Sequence, residues 1–443
     1  MCALRRISGP AALEPRPSHG HALNLELELA TPMFGGGVTP ALIDVSQPVR
    51  PSEIRGQLRF WWRATAGAAC SDSHELFAGE SAIWGGNEEQ SRVSVRVEQG
   101  CAAPDALASG WHIDANDRVV LDDPAYVLFL ISDKERKEEA DAYRRRGEQP
   151  RKRLLKQHSF RVLISSERLT DAEWSGVELS ARAWILFGGV GARTRRGLGS
   201  LRWKNAPAAW LRDAANQTAS AFGSALKGLP QLPEGAHRDW PILPGAHLFV
   251  GHDLAEKPAI ALRNAVLHYA AFRQQRSDGR RGKGRGRSQW PEPEAIRNAV
   301  AGGARAAQPW HGAITPADPA AFPRSLLGLP IITHFIDATN GGDPEDTTLG
   351  LGSGKEIGRL ASPLLVKPLV LAEGSRALFL LLNYNVASRI EPLLTLSWRK
   401  GACSMKVALG PCRDPLQISA PRGAGQLTLR RWIEQKCSRG VQL

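Results

Sequence analysis

The sequence lacks the segments that take a protein into or across a membrane. None of its apolar runs reaches the 18 or so residues that a membrane-spanning helix needs. Residues 1–20 are rich in proline, arginine and glycine and contain no continuous apolar stretch, so they do not resemble a secretory signal. We therefore expect residues 1–20 to form a flexible tail, the protein to be cytoplasmic, and no membrane to be among its partners.

The six cysteines show no metal-binding or disulfide pattern. No two of them are spaced C-x-x-C, and no group of cysteines and histidines has the spacing of a zinc site. A long chain without closely spaced cysteines fits a reducing compartment. We expect ordinary thiols at all six positions and predict neither a metal nor any other cofactor.

Catalytic signatures are equally scarce. Residues 350–355 resemble a phosphate-binding P-loop, but Leu349 and Glu356 stand where that motif needs a glycine and a hydroxyl residue. The sequence contains no G-x-S-x-G elbow and no paired-histidine motif. Among the eleven histidines, His158 is the best candidate for a general base because cationic residues surround it. We expect no catalytic residue.

What the chain does have is length and positive charge. Its 443 residues predict two domains, and a hydrophobic fraction of 42% is enough for a core in each. Lysine and arginine total 57 against 44 acidic residues, which gives a net charge of +13 and favours an anionic partner. Proline and glycine punctuation near residue 230 places a boundary there, so we predict domains at 21–230 and 231–443.

The first half alternates strand and helix patterns. Leucines at every second position of residues 23–29 predict a half-buried strand, and a helix over 52–67 with Ser52 as its N-cap comes next. The later patterns are strands at 91–97, 126–131 and 160–165, a helix at 180–187 and a final strand. The order strand, helix, strand, strand, helix, strand is that of a split β-α-β, or ferredoxin-like, unit, which RRM domains share. Strands and helices alternate again after residue 230, without a convincing sequence repeat.

The helix predicted at 52–67 carries a basic stripe beside its apolar one. Arg55, Arg59 and Arg63 are spaced i, i+4 and i+8, so they lie on one face. Trp61 belongs to the apolar stripe, whereas the adjacent Trp62 is a candidate for stacking on a nucleic-acid base.

Two other segments combine glycine with arginine, at 188–199 and 273–287. Glycines let a backbone approach a phosphate closely, and arginines supply forked cationic donors. This combination suits a phosphodiester chain. The candidate binding residues in these segments are Gly191, Arg193, Arg195, Arg196, Gly197, Arg280, Arg281, Lys283, Arg285 and Arg287. A third charged run, at 134–168, has no assigned role.

The glycine-arginine loop GGVGARTRRGLG resembles the hallmark of the RAMP superfamily of CRISPR proteins. More specific segments resemble the first subunit of the type III-B CRISPR effector, the Cmr complex: TPMFGGG at 31–37, PVRPSEIRGQLRFWWRA at 48–64 and ELFAGESAIWGG at 75–86. Segments at 286–297, 322–331 and 358–368 are similar to the same family, so the resemblance spans roughly residues 22–370.

The resemblance implies an α+β fold of two tandem ferredoxin-like, RRM-like RAMP domains. It also implies a non-catalytic RNA-binding and assembly subunit at the head of the ribonucleoprotein, near the 3′ end of the guide RNA. The implied partners are guide RNA, target RNA and other RAMP subunits. The RNA contacts carried over are the three helix arginines and, in the loop, Gly191, Arg193, Arg195, Arg196 and Gly197. Two alternatives stay open. One is a metal-independent RAMP endoribonuclease with His158 as its base, and the other is a protein-interaction module.

Overall fold

The computed structural model describes most of the chain. The described residues are 20–39, 41–116, 118–121, 133–208, 210–211, 219–275, 288–300, 321–335, 344–352, 358–390, 394–398, 401–405, 413–420 and 427–443. The predicted tail at 1–20, apart from its last residue, and the predicted strand at 126–131 lie outside this part.

Helices and antiparallel strands alternate along the described chain. The strands are β1 (His21–Leu29), β2 (Met33–Phe34), β3 (Ser94–Gln99), β4 (Leu107–Ala108), β5 (Trp111–Ile113), β6 (Val119–Leu121), β7 (Leu154–Leu155), β8 (Ser159–Ser166), β9 (Leu201–Trp203), β10 (Ile242–Val250), β11 (Ile331–Thr333), β12 (Thr347–Leu351), β13 (Leu364–Val370), β14 (Ser375–Asn383), β15 (Leu394–Trp398), β16 (Gly401–Met405) and β17 (Val441–Gln442). The helices are α1 (Pro51–Ala64), α2 (Ser73–Trp84), α3 (Asp133–Arg146), α4 (Asp171–Phe187), α5 (Ala219–Ala225), α6 (Pro258–Gln274), α7 (Glu292–Val300), α8 (Val386–Ile390) and α9 (Leu429–Glu434). The α+β class predicted from the sequence is confirmed.

The first large sheet has the strand order β3-β8-β1-β9, with every neighbouring pair antiparallel. Numbered along the chain, the strands of this sheet lie in the order second, third, first, fourth. Helix α1 lies in the connection from the first strand to the second, and α4 lies in the connection from the third to the fourth. Leu25, Leu27 and Leu29 are buried on the helix side, whereas Glu26 and Glu28 alternate with them on the other face. The period-2 pattern of the sequence therefore sets which face meets the helices.

The second large sheet, β13-β14-β10-β17, has the same relative order of strands and is also antiparallel. Here α6 follows the first strand and α9 precedes the fourth. Its strands are buried on both faces: Leu248 and Val250 belong to one core cluster, and Phe249 between them belongs to another. Near-continuous apolar runs in β13 and β14 are what a strand buried on both faces requires.

The helices α1 and α4 lie between the two large sheets. Helix α1 contacts β10, and α4 contacts β13, while both helices cover the leucines of β1. One core cluster therefore contains Leu25 from the first half together with Leu248 and Leu380 from the second. On the far side of the second sheet, α6 packs on β13 and β14 and closes a second core. The buried apolar surface is continuous across the boundary expected near residue 230.

Both ends of α1 lie at residues other than those that the sequence predicts. The helix begins at Pro51, and its N-cap is Arg50 rather than Ser52. Proline suits the first helical position because its missing N–H would find no partner there. The helix ends at Ala64, where the Thr65 hydroxyl donates to the carbonyl of Trp61 at 2.6 Å, before Gly67 is reached.

Part of the charged run at 134–168 is structural. Arg153 is only 1% exposed, and its guanidinium donates to Glu135 at 2.5 Å and to Glu139 at 2.6 Å, both on α3. A buried cation needs such paired carboxylates. Among the described residues, no helix is both long and apolar enough to cross a membrane.

Candidate nucleic-acid interface

The glycine-arginine loop lies against the start of α1. Glu53, in the first helical turn, accepts a hydrogen bond from the backbone N–H of Gly191. Burial raises the pKa of the Glu53 carboxyl, and its second oxygen, Oε2, meets no donor within the described part of the chain. Gly36 lies beside this pair, because a Cβ added to it would sit 3.4 Å from the Cα of Gly191. Two glycine-rich segments and the N-terminus of α1 therefore meet at one place.

Internal packing explains the two candidate glycines of the loop. Gly191 has φ +78°, and a Cβ there would lie 2.7 Å from Cγ of Met33 and 2.8 Å from the carbonyl oxygen of Phe34. Gly197 has φ +80°, and a Cβ there would collide with Leu262. Both positions thus need glycine for the backbone and for close packing. The sequence had suggested room for a phosphate instead.

Each of the three loop arginines lies over an aromatic ring. The guanidinium-to-centroid distances are 5.1 Å for Arg193 over Phe34, 5.1 Å for Arg195 over Phe60 and 4.7 Å for Arg196 over Tyr269. Such contacts orient a cation without neutralising it. Burial lowers the pKa of both Arg193 and Arg195 to about 10, so both remain charged at neutral pH. The loop joins the two halves, since Phe34 and Phe60 precede the boundary and Tyr269 follows it.

Neutral groups hold Arg195 and Arg196 in place. Nη1 of Arg195 donates to the carbonyl of Ser362 at 2.6 Å, and Arg196 stacks on Tyr269. Within the described ranges, neither arginine forms an ion pair with a carboxylate. Their positive charges are therefore not cancelled locally, and both side chains are partly exposed.

The basic stripe of α1 divides into paired and unpaired members. Arg59 Nε and Arg63 Nη1 each donate to Oε1 of Glu80 at 2.6 Å, and Glu80 on α2 is only 5% exposed. These two arginines compensate a buried carboxylate and tie α2 to α1. Arg55 has no carboxylate partner among the residues that the structure describes, and burial next to Arg59 lowers its pKa. Of the three predicted contacts, Arg55 is therefore the one without a carboxylate in the described part of the chain, whereas Arg59 and Arg63 share one.

The prediction that Trp62 stacks on a base needs correction. Trp62 is 5% exposed and belongs to the core cluster that the two halves share. Its indole packs against Gly67, Gly79 and Gly176, where an added Cβ would come within 3.3 Å of the ring. The three glycines form a slot for the indole, which leaves no face for a base. Adjacent tryptophans on one helix can both be buried here because α2 and α4 cover Trp62, whereas Trp61 packs on Phe187.

The structure describes only the first three residues of the basic run at 273–287. Its candidate residues Arg280, Arg281, Lys283, Arg285 and Arg287 lie outside the described residues. Arg273, at the end of α6, lies 6.0 Å from the ring centroid of Tyr269, on which Arg196 also stacks. Arg273, the first residue of the run, thus lies near the glycine-arginine loop.

Sequence reasoning missed a buried lysine beside this loop. Lys367 on β13 is 1% exposed, and its ammonium donates to the carbonyl of Gly188, at the C-terminal end of α4. A cation is favourable at a helix C-terminus, but burial lowers the pKa of Lys367 to about 7. The available signal was a single charge within the apolar run LLVKPLV. Lys367 links the second sheet to the start of the glycine-arginine loop.

His158 is held by a hydrogen-bonding pattern that fixes its tautomer. Its Nε2 lies 3.0 Å from Oε1 of Gln99, which also accepts the N–H of Val49 at 3.1 Å. Because Oε1 is an acceptor, Nε2 carries the proton and Nδ1 is the basic nitrogen. Burial lowers the pKa of His158, so the ring is neutral at neutral pH.

The outer face of the first sheet does not look like a base-stacking platform. Arg161 lies 3.4 Å from Glu26 and 3.1 Å from Glu98, and Arg202 lies 3.2 Å from Glu28 across the strands. RRM domains stack bases on aromatic side chains at this face. Here exposed ion pairs occupy it instead, so the positive loop is the better candidate surface.

The model of the RAMP superfamily matches residues 26–202, which include the end of β1, all of α1 and α4, and the glycine-arginine loop. Among curated proteins, the CRISPR system Cmr subunit Cmr1-2 of Pyrococcus furiosus is 30% identical over 190 residues, covering 40% of this chain and 92% of that protein. The chain therefore belongs to the RAMP superfamily and, within it, to the family of Cmr1, a subunit of the type III-B CRISPR Cmr system.

Two other similarities are more distant. Cmr subunit Cmr1-1 of the same organism is 29% identical over 168 residues, which cover 37% of this chain and 43% of that protein. The match thus spans less than half the length of that relative. The crystal structure of Cmr1 from Pyrococcus furiosus in its apo form aligns over 82% of this chain and 88% of that chain, with 16% identity and a TM-score of 0.40.

Proposed function

We propose that this chain is a non-catalytic RNA-binding and assembly subunit of a type III-B Cmr ribonucleoprotein. It contacts the backbone of guide and target RNA near the guide 3′ end, at the head of the complex, beside other RAMP subunits. The observation that carries the proposal is the pair Arg195 and Arg196, oriented by aromatic rings and a carbonyl rather than by carboxylates. Such cations lose little on binding phosphate because they break no ion pair.

The architecture we propose with this function is two tandem ferredoxin-like RAMP domains, at 21–230 and 231–443. The support is that the two large sheets share one strand order, each with a helix after its first strand and before its fourth. In this arrangement the glycine-arginine loop of the first domain contacts Leu262 and Tyr269 of α6 in the second. An RNA that binds the loop thus touches both domains.

Weak base specificity follows from the same residues. Arginine contacts to phosphate position a nucleic acid but carry no sequence information. A subunit that accepts any guide sequence requires this kind of contact. We also propose Arg193 and the basic residues at 280–287 as RNA contacts.

The experiment is a salt series of binding to a labelled single-stranded RNA of mixed sequence. The double variant Arg195→Gln, Arg196→Gln should bind more weakly, and the slope of log affinity against log salt should fall by about two, one for each lost phosphate contact. The matched control is Arg161→Gln, Arg202→Gln, which removes the same charge from the outer face of the first sheet. We expect the control to keep the wild-type slope. Equal slopes in both double variants would refute the proposed surface.

The same assay separates the two alternatives. RNA cleavage without metal, lost in His158→Ala, would support the endoribonuclease, with Nδ1 of His158 as the base. Intact RNA that does not bind, together with firm assembly with other RAMP subunits, would support a protein-interaction module. Salt-sensitive binding of RNA that stays intact supports the proposed function.

A further inference from the structure

A small cavity lies between the middle of α1 and the glycine-arginine loop. Its volume is about 230 Å³, and its walls include Gly56, Gln57, Phe60, Trp61, Thr194 and Arg195. Gly188 and Leu365 line it from the inner side, so both halves of the chain contribute. The cavity is separate from the contact between Glu53 and Gly191, which lies one turn nearer the start of α1.

Gly56 has no internal reason to be glycine. It lies inside α1 and is exposed, its φ is not positive, and a Cβ added to it would meet no atom of the described residues within 4 Å. Glycine is a poor residue for a helix interior, and alanine or leucine would be better there. This contrasts with Gly191 and Gly197, which packing explains. An exposed helical glycine beside a cavity is what the close approach of a ligand would require.

The walls of the cavity combine stacking surfaces with hydrogen-bonding groups. The Phe60 ring lies under the Arg195 guanidinium, and it meets Trp61 edge to face with centroids 5.1 Å apart. Trp61 is 1% exposed, and its indole N–H meets no acceptor within the described part of the chain. That N–H lies next to Gly188, also a wall of the cavity, since a Cβ on Gly188 would be 2.6 Å from Nε1. A buried donor without a partner is costly unless a ligand completes it.

We propose that this cavity is a subsite for one unstacked nucleotide of a single-stranded RNA, an inference that rests on the proposed function. The base enters past Gly56 and packs against Phe60, Arg195 holds the adjoining phosphate, and Gln57 and Trp61 donate to base or ribose oxygens. Arg55 lies one residue before Gly56 on the same helix and meets the next phosphate. An anionic, planar ligand fits this set because its walls are cationic and aromatic.

The test variant blocks the entrance of the cavity without replacing a charged residue. Gly56→Leu places a side chain over the cavity where the free chain has open space, and Gly223→Leu is the matched control. Gly223 is a second exposed helical glycine, no atom of the described chain lies within 4 Å of its missing Cβ, and it does not line the cavity. Thermal unfolding of both variants should be at or slightly above the wild-type midpoint, because leucine is the better helix former.

The readout is the affinity for single-stranded RNA and for a duplex of the same length. We expect Gly56→Leu to weaken single-strand binding about tenfold, the size of one lost base stack, with the salt slope unchanged. Duplex binding should stay the same because paired bases do not leave their stack. A single strand that carries 4-thiouridine should also crosslink to the peptide at 56–61 in the wild type and not in Gly56→Leu.

Each other result overturns the subsite. Wild-type affinity in Gly56→Leu, or an equal loss in Gly223→Leu, would show that no nucleotide enters past Gly56, whereas the loop could still bind phosphate. An equal loss for single strand and duplex with a lower salt slope would mean a phosphate contact alone. If wild-type protein binds no RNA, the proposed function fails and the subsite fails with it.

Discussion

Replacing the buried Lys367 by methionine should abolish the contribution of this lysine to the pH dependence of the free energy of unfolding. In the folded chain the pKa of Lys367 is lowered to about 7 by burial, against 10.5 in its ordinary state. Between these two values the unfolded chain holds a proton that the folded chain has lost, so stability rises with pH. The stabilisation is complete above the unfolded pKa and is lost as pH falls toward the folded pKa.

The magnitude follows from the proton count. Where the unfolded chain binds one more proton than the folded chain, the free energy of unfolding changes by about 1.4 kcal/mol per pH unit. Lys367 is half protonated in the folded chain near pH 7, so its contribution should rise by about 2 kcal/mol from pH 7 to pH 9. Lys367→Met removes this slope. At pH 7 the methionine variant should be at least as stable as the wild type, despite the lost hydrogen bond to Gly188.

The assay is urea unfolding followed by tryptophan fluorescence at pH 7, 8 and 9. Lys227→Met, which removes an exposed lysine, is the matched control and should keep the wild-type slope. If wild type and Lys367→Met show the same change between pH 7 and 9, the lysine is not held as a buried base, and the reasoning is refuted.

Three other predictions follow from the contacts around α1. Arg59→Ala with Arg63→Ala should lower stability by about 3 kcal/mol in urea unfolding, because Glu80 is left buried and unpaired, and retained stability would contradict that account. Arg55→Ala should leave stability within about 0.5 kcal/mol of wild type yet reduce the salt slope of RNA binding by about one, which an unchanged slope would exclude. Glu53→Gln should be more stable than wild type near pH 7, since burial raises the pKa of the carboxyl and disfavours its charged form. That advantage should shrink as pH falls and the wild-type carboxyl takes up its proton, and a pH-independent difference would argue against it.

The elements that the sequence predicts well are those with a clear period. The alternating leucines correctly predict β1, and they form its buried face, which shares a core cluster with residues of α1. The helix at 180–187 was also found, but α4 begins at Asp171, where Thr170 and Glu173 form a capping box that the prediction overlooked. The signal was present in the sequence as T-x-x-E and follows the usual pattern.

The candidate site is harder to predict from the sequence because the spacing of charged residues does not reveal their ion-pair partners. Arg55, Arg59 and Arg63 look equivalent in the sequence, yet Glu80, 17 residues beyond Arg63, engages two of them. Trp62 looked open because one helix in one layer can bury one face. Gly79 of α2 and Gly176 of α4 cover the indole, and the residue spacing within α1 does not reveal such neighbours.

The layer of α1 and α4 between two sheets also bears on how the chain is made. A nascent first half presents these helices with one side already covered by its own sheet. The other side awaits Leu248, Leu365 and Leu380, which leave the ribosome much later. Because transiently uncovered apolar surface promotes aggregation, we expect the growing chain to depend on chaperones until about residue 383 has emerged. A first half expressed alone should accordingly be poorly soluble, however complete its own strand order is.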